Sequence, residues 1–462
     1  MQLHPLELFF PLCYLILLLW IGFQMKGEKQ SESDYIVGGR RLTLPAFIAT
    51  LVTTWYGGIL GVGEFTFLYG ISNWFVFGLP YYFFAIAYAI FLAPRIRTRP
   101  GLTIPDQVSA AHGSLAGKMS AVCAFFMTLP APYMVMLGLL ISWITGWNLT
   151  LSIALGTLFS MAYLISGGFK AVVRTDKLQF LLMFAGFAVL VFTVFFQYGG
   201  VALLSEKLPA THFQPSGGNS AAFILVWYFI AIWTFVDPGF HQRCSAAESP
   251  QTARKGIFYA IVFWFVFDLM TTVAGLYARA LLPELEQPAL SFPALGHEVL
   301  HPLAAGLFLT GLLATIMSTI DSFTLLSSIS LGYDLLGKNG SSLSKIRLGI
   351  VVTAVVSMIL AATLPSVIDL WYVIGTLFIP PMLLPLLTAL VPRFGIGVKI
   401  VQTNFIVGFA LPFIWLLAGI SKAGMTNPEY PLGWQPMFPG LAFSLLLFIF
   451  GLIKKHRQTA HH

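Results

Sequence analysis

Apolar stretches of about twenty residues recur along the whole chain between short polar segments, the length a helix needs to cross a hydrocarbon core. Thirteen such helices are expected, α1 to α13, at 6–24, 45–69, 73–94, 119–143, 148–167, 176–198, 219–238, 255–280, 300–335, 347–364, 368–391, 401–421 and 434–453. The alternating strands of a membrane barrel are not seen, so the expected fold is all-α, a polytopic membrane protein forming one membrane domain over 1–462. In α2, "PAFIATLVTTWYGGILGVGEFTFLYG", Gly57, Gly58, Gly61 and Gly63 fall within seven residues, beside Thr53 and Thr54. Such a cluster predicts local unwinding, since glycine weakens a helix interior; close helix packing is its other common use. In α7, "FIAIWTFVDPGFHQR", the Asp237-Pro238-Gly239 cluster either stops or breaks the helix. The helices α2 and α7 lie five spans apart, an odd number, so two successive five-helix units (45–198 and 219–391) must point in opposite directions. An extra N-terminal helix (6–24) precedes them and two C-terminal helices (401–453) follow.

The composition agrees: 57% hydrophobic and 9% charged is too little charge for a water-soluble surface of this size. The net charge of +7 would suggest a nucleic-acid partner, but the basic residues sit in loops. With the N-terminus outside, the segments after the odd-numbered helices are cytoplasmic, and of the 25 Lys and Arg only Lys207, Arg279 and Lys422 fall elsewhere. One missed helix would invert every later loop, so the bias supports both the helix number and the orientation, with the C-terminus cytoplasmic in a cell membrane. The first apolar stretch has no basic segment before it and no small-residue cleavage site after it, and is expected to be a retained helix. Cys13, Cys123 and Cys244 have neither metal spacing nor a disulfide pattern.

Polar chemistry concentrates in α9, in "GLLATIMSTIDSFTLLSS". Thr315, Ser318, Thr319 and Ser322 follow i, i+3, i+4, i+7 on one helical face, with Asp321 at its edge. A carboxylate at bilayer depth costs roughly 2.5–3.5 kcal/mol on insertion scales, so a partner is expected. Hydroxyl, carbonyl and carboxylate oxygens suit a small hard cation. A proton on Asp321, or plain hydrogen bonding of the hydroxyls, are the other uses. Asp176 opens α6 in "RTDKLQ" and reads either as a helix cap or as part of a second cation site. Glu64, beyond the glycine cluster, could face a vestibule and a positively charged solute group, while Asp268 lies deep in α8 without an evident partner. All nine histidines fall at helix ends or in loops, leaving Ser322 and Asp321 without a usable base, which argues against an intramembrane enzyme.

In this order and spacing, "SDYIVGGRR", "WYGGILGVGEFTFLYG", "GGFKAVVRTDKLQ", "DPGFHQRCSAA" and "MSTIDS" resemble the sodium/solute symporter family of proline, sugar and sialic acid cotransporters over nearly the whole chain. The resemblance implies a leucine-transporter-type fold with inverted five-helix repeats. It implies a main sodium site formed by the carbonyls of Leu51, Thr54 and Thr315 and the hydroxyls of Ser318 and Thr319. A second sodium would match Asp176, Ser318, Asp321 and Ser322. It places the solute near Gly57, Gly58 and Glu64, with Trp233 at an aromatic gate and Tyr372 along the path. Sugar-transporting members carry a polar side chain where this chain has Gly58, which weakens a sugar reading. The expected function is sodium-coupled symport of a small organic solute into the cell by alternating access. A proton-coupled carrier, or a solute sensor signalling to a separate chain, are the competing functions.

Overall fold

The computed structural model describes residues 3–24, 31–337, 342–364, 366–423 and 428–459. Three of the basic residues that fall in the expected cytoplasmic segments, Lys26, Lys29 and Lys338, lie outside the described residues. Among the described residues, twelve helices are long and apolar enough to cross a membrane: α1 Pro5–Gln24, α2 Leu44–Tyr69, α3 Trp74–Phe91, α4 Ser114–Thr145, α6 Gly167–Gln197, α7 Ala221–Ala246, α8 Pro250–Leu281, α9 Pro302–Leu335, α10 Ser342–Thr363, α11 Val367–Leu390, α12 Val398–Ser421 and α13 Met437–Arg457. The shorter apolar helix Leu149–Ile165 is α5 and completes the expected order.

Burial sorts the helices into layers. The central stretches of α2, α4, α9 and α11 are 83% buried, whereas those of α1, α3, α6, α10, α12 and α13 are 22–39% buried. The lipid-facing helices spend their apolar residues outward; the inner four pack against protein. Among the described residues, α9 makes its most extensive contacts with the α5–α6 unit.

Where expected boundaries differ, the backbone chemistry explains it. No loop separates α5 from α6: one helical path runs Leu149–Gln197 and bends at Gly168, whose φ of 56° and ψ of −153° suit glycine. Asp176 therefore lies inside a helix rather than capping one. The helix α4 is interrupted between Met127 and Ala131, where Pro130 and Pro132 deny the ladder two N–H donors. The helix α7 does not stop at Asp237: it breaks and resumes as Pro238–Ala246. Asp237 is extended there, and its Oδ1 accepts from the Phe240 N–H at 2.9 Å, a cap followed by proline at the first helical position. As a result Arg243, expected in a cytoplasmic loop, sits inside α7 and is fully buried.

In α2 the predicted unwinding is one tight turn. An α-helix over Leu44–Trp55 passes through a 3₁₀ turn at Tyr56–Gly58 into a second α-helix over Ile59–Tyr69. Gly61 and Gly63 remain helical; only Gly57 and Gly58 mark the joint.

Candidate ion and solute site

The joint in α2 presses directly onto the polar stripe of α9. A Cβ on Gly57 would lie 2.2 Å from the Thr319 Cβ, and one on Gly58 would lie 2.1 Å from the Trp371 ring, so only glycine permits this approach. It brings the Thr319 hydroxyl 2.8 Å from the Thr54 carbonyl, to which it donates. The Thr315 carbonyl lies 3.4 Å from the same hydroxyl, and the Thr315 hydroxyl donates to the Gly311 carbonyl at 2.7 Å within α9. Ser318 donates to Asp176 Oδ1 at 2.6 Å, and Thr50 donates to Oδ2 of the same carboxylate. Thr50, Asp176, Thr315, Ser318 and Thr319 are fully buried. Polar groups taken this far from water need such partners.

The two carboxylates of the expected second ion set meet different company. Asp321 faces α5, where the Tyr163 hydroxyl lies 2.8 and 2.7 Å from its two oxygens. Asp176 faces α2, α9 and a buried guanidinium. Arg243 Nη2 is 4.0 Å from Asp176 Oδ2, 2.8 Å from Thr54 Oγ1, 2.9 Å from Ser322 Oγ and 3.1 Å from Thr50 Oγ1. Ser322 and Thr54 are also 3.0 Å apart, hydroxyl to hydroxyl. A fixed positive charge thus stands inside the oxygen cluster.

Above the joint lies a central cavity of about 120 Å³. Leu51, Thr54, Gly58, Trp233, Asp237 and Trp371 line it, together with Asp268 and Arg243. Trp233 donates its indole N–H to Asp237 Oδ2 at 3.1 Å, tying the two halves of broken α7 together. Glu64 and Tyr372 do not line this cavity. Glu64 is half-buried on the far side of the joint, and the Tyr372 hydroxyl donates to Gln435. The neighbouring Trp371 takes the place expected of Tyr372, covering Gly58.

On the face carrying most basic loops, those loops are stitched together. Arg40 donates to the Gly101 carbonyl at 2.8 Å, and Arg99 to the Ala389 carbonyl at 2.7 Å. Arg97 donates to the Ala247 carbonyl, and Leu42 pairs with Ala247 in a short backbone bridge. Lys170 and Asp34 form an ion pair of 2.7 Å, and the ammonium holds the Asp34 carboxyl down at about 2.

The joint in α2 thus faces a buried stripe of hydroxyl and carbonyl oxygens on α9. The sodium:solute symporter family profile matches residues 35–418. The chain belongs to that family. As a sodium:solute symporter it couples a solute to sodium, the coupling ion. It is 27% identical to the high-affinity proline transporter PutP of Bacillus subtilis, over 94% of this chain and 95% of that one. It is 28% identical to the sodium/pantothenate symporter of Escherichia coli, over 65% and 62% of the two chains. Its fold is similar to a Na+-coupled sialic acid symporter solved in a substrate-bound outward-open state, with a TM-score of 0.79, 17% identity and 97% of each chain covered.

Sequence reasoning missed Arg243, Tyr163 and Asp268 as parts of the site. The first carried a signal: Asp-Pro followed by eight residues without a turn reads as a helix restarting. The other two depend on contacts between distant segments.

Proposed function

We propose that this symporter moves a small organic solute into the cell with sodium, its N-terminus outside and its C-terminus cytoplasmic in the cell membrane. The five-helix units 45–198 and 219–391 rock about the site to expose it alternately. Sodium is held by the carbonyls of Leu51, Thr54 and Thr315 and the hydroxyls of Ser318 and Thr319, oxygen donors of the kind a hard cation prefers. The observation that carries this reading is the Thr319 hydroxyl, 2.8 Å from the Thr54 carbonyl at the α2 joint. A sodium ion there turns a hydrogen-bonded contact into coordination and pins the joint against α9. Tyr56, two residues from Thr54, places its ring beside the cavity, so an ion at the joint and a solute above it stabilise the same arrangement. One charge crossing 100 mV supplies about 2.3 kcal/mol, roughly fifty-fold solute accumulation before the sodium gradient is counted.

The solutes named for the relatives, proline and pantothenate, are small carboxylates, and this chain is read as carrying a molecule of that size. Asp176, Ser318, Asp321 and Ser322 are read as the place where a second sodium contends with Arg243. Neither chemistry on a substrate nor signalling to a partner is needed to account for these groups.

The test is a thermal-stability titration of the purified protein with sodium chloride against choline chloride. The wild type is expected to gain stability with sodium alone, because an ion that binds only the folded protein stabilises it. Ser318→Ala with Thr319→Ala is expected to lose that gain. An equal response in the double variant, or none in the wild type, would sink the site.

A further inference from the structure

The central cavity holds a carboxylate that the sodium site does not use. Asp268, in the middle of α8, is 7% exposed and lines the cavity. Two tyrosines hold it. Tyr56, from the α2 joint, has its hydroxyl 2.9 Å from Oδ1 and also 2.8 Å from the Trp264 carbonyl; Tyr82, from α3, donates to Oδ2. Both are neutral donors, and among the described residues Asp268 makes no ion pair. A carboxylate has room for about four hydrogen bonds, so acceptor capacity remains toward the cavity. Much of the remaining wall is aromatic: Trp55 packs on Trp264 at 5.2 Å and on Phe240 at 5.8 Å, and Tyr133, Trp233 and Trp371 also face the cavity, with Asp237 and Arg243 on its α7 side. A buried anion surrounded by aromatic rings is the chemistry that recognises an organic ammonium.

We propose that Asp268 is the solute anchor and that the carried solute bears a protonated amine, which the Asp268 carboxylate receives inside the aromatic cavity. This rests on the reading of the central cavity as the solute site, and it narrows that reading to one solute class. It also separates the solutes named for the relatives. Proline is a zwitterion with a protonated secondary amine; pantothenate is an anion without one, and a second negative charge beside Asp268 is repelled. The geometry supplies the coupling as well. Tyr56 touches Asp268 through its hydroxyl and follows Thr54 by two residues, so an amine drawn to Asp268 bears on the turn whose carbonyl meets the ion.

The experiment screens the full chain, purified in saturating sodium, for thermal stabilisation by the twenty amino acids, putrescine, pantothenate, sialic acid and simple sugars. Hits are repeated with their N-acetyl derivatives and with Asp268→Asn. At least one ammonium-bearing compound is expected to stabilise the wild type, and its N-acetyl derivative is expected not to. Its affinity is expected to fall roughly ten- to hundredfold in Asp268→Asn, the loss of a charge-assisted contact. The sodium response without solute is expected to stay within about twofold, because Asp268 makes no contact with the ion oxygens. No ammonium-bearing hit, or a hit that binds equally after N-acetylation, overturns the proposal, and neither arm needs a variant that folds. Equal binding in Asp268→Asn overturns it too. Failure of the sodium response alone would instead strike the ion site, which is read in the same samples before solute is added.

Discussion

Replacing Arg243 with Gln tests how charge is arranged at the α2–α9 contact. Its Nη2 stands 4.0 Å from Asp176 Oδ2 and within 2.8–3.1 Å of the Thr54, Ser322 and Thr50 hydroxyls, so a sodium beside Asp176 and Ser322 would lie within a few ångströms of a guanidinium. Two unit charges 4 Å apart repel by about 4 kcal/mol at an effective dielectric constant near 20. At about 1.4 kcal/mol per decade this weakens a second sodium roughly a thousandfold in the wild type. The wild type is therefore expected to titrate as one site with a Hill coefficient of about 1, and Arg243→Gln to show a second sodium-binding event, its coefficient lying between about 1 and 2 according to how strongly the two ions couple. The same substitution strips Asp176 of its nearest cation. In sodium-free buffer it is expected to lose about 3–5 kcal/mol, the scale for breaking a buried pair, and to recover much of this as sodium takes the vacated place. Tryptophan fluorescence titrated with sodium reads the slope, because Trp55, Trp233 and Trp371 line the cavity. Arg243→Lys retains the charge and is expected to keep the wild-type slope, which separates charge from packing should the Gln variant fold poorly. A wild-type slope already near two, or identical sodium curves for Arg243→Gln and wild type, would refute the reasoning.

Gly57→Ala forces a methyl to within 2.2 Å of the Thr319 Cβ, so it is expected to cost about 1–3 kcal/mol in overpacking and to weaken the sodium response in the thermal titration. Gly58→Ala meets the far end of the Trp371 ring and is expected to spare the ion while disturbing solute affinity, measured by uptake into proteoliposomes. His112, in the short helix Ile104–His112 outside the spans, lies 3.0 Å from the Thr388 hydroxyl at the end of α11, and burial holds its pKa below the ordinary value. The folded state therefore binds fewer protons there than the unfolded chain, and stability is expected to fall as pH drops below about 6.5. His112→Gln should flatten the thermal midpoint between about pH 5 and 7 relative to wild type. For orientation, cysteines replacing Asn148 and Arg254, both exposed, are expected to react with an impermeant maleimide from outside and only after permeabilisation, respectively. Reversed labelling would invert the topology.

The parts legible in the sequence were those written locally. Helix number and inverted repeats followed from apolar length and parity, and the α2 joint from four glycines in seven residues. The α9 stripe followed from helical spacing, and all four of its hydroxyl positions lie in the protein interior. Arg243 was misplaced because its charge matched the loop pattern, while Asp237 had already begun a new helical segment. Asp176 was open to reading as a cap because the real joint, Gly168, lies eight positions earlier. The Tyr163 partner of Asp321 and the Tyr56 and Tyr82 partners of Asp268 come from residues more than 150 positions away, and no periodicity announces such contacts. Tyr372 and Trp371 are adjacent, and only packing decides which of them covers the joint.

The arginines between α1 and α4 have a double life. Charges that tell the insertion machinery which side of the bilayer to keep also serve, in the finished protein, as staples between loops. Arg40, Arg97 and Arg99 spend their donors on carbonyls of neighbouring segments rather than on carboxylates. A carbonyl can be exchanged for water with little net change in free energy, whereas a buried ion pair is hard to part. On the topology proposed above this seam lies on the cytoplasmic face, and its bonds to carbonyls are of the kind that water can replace when neighbouring segments part.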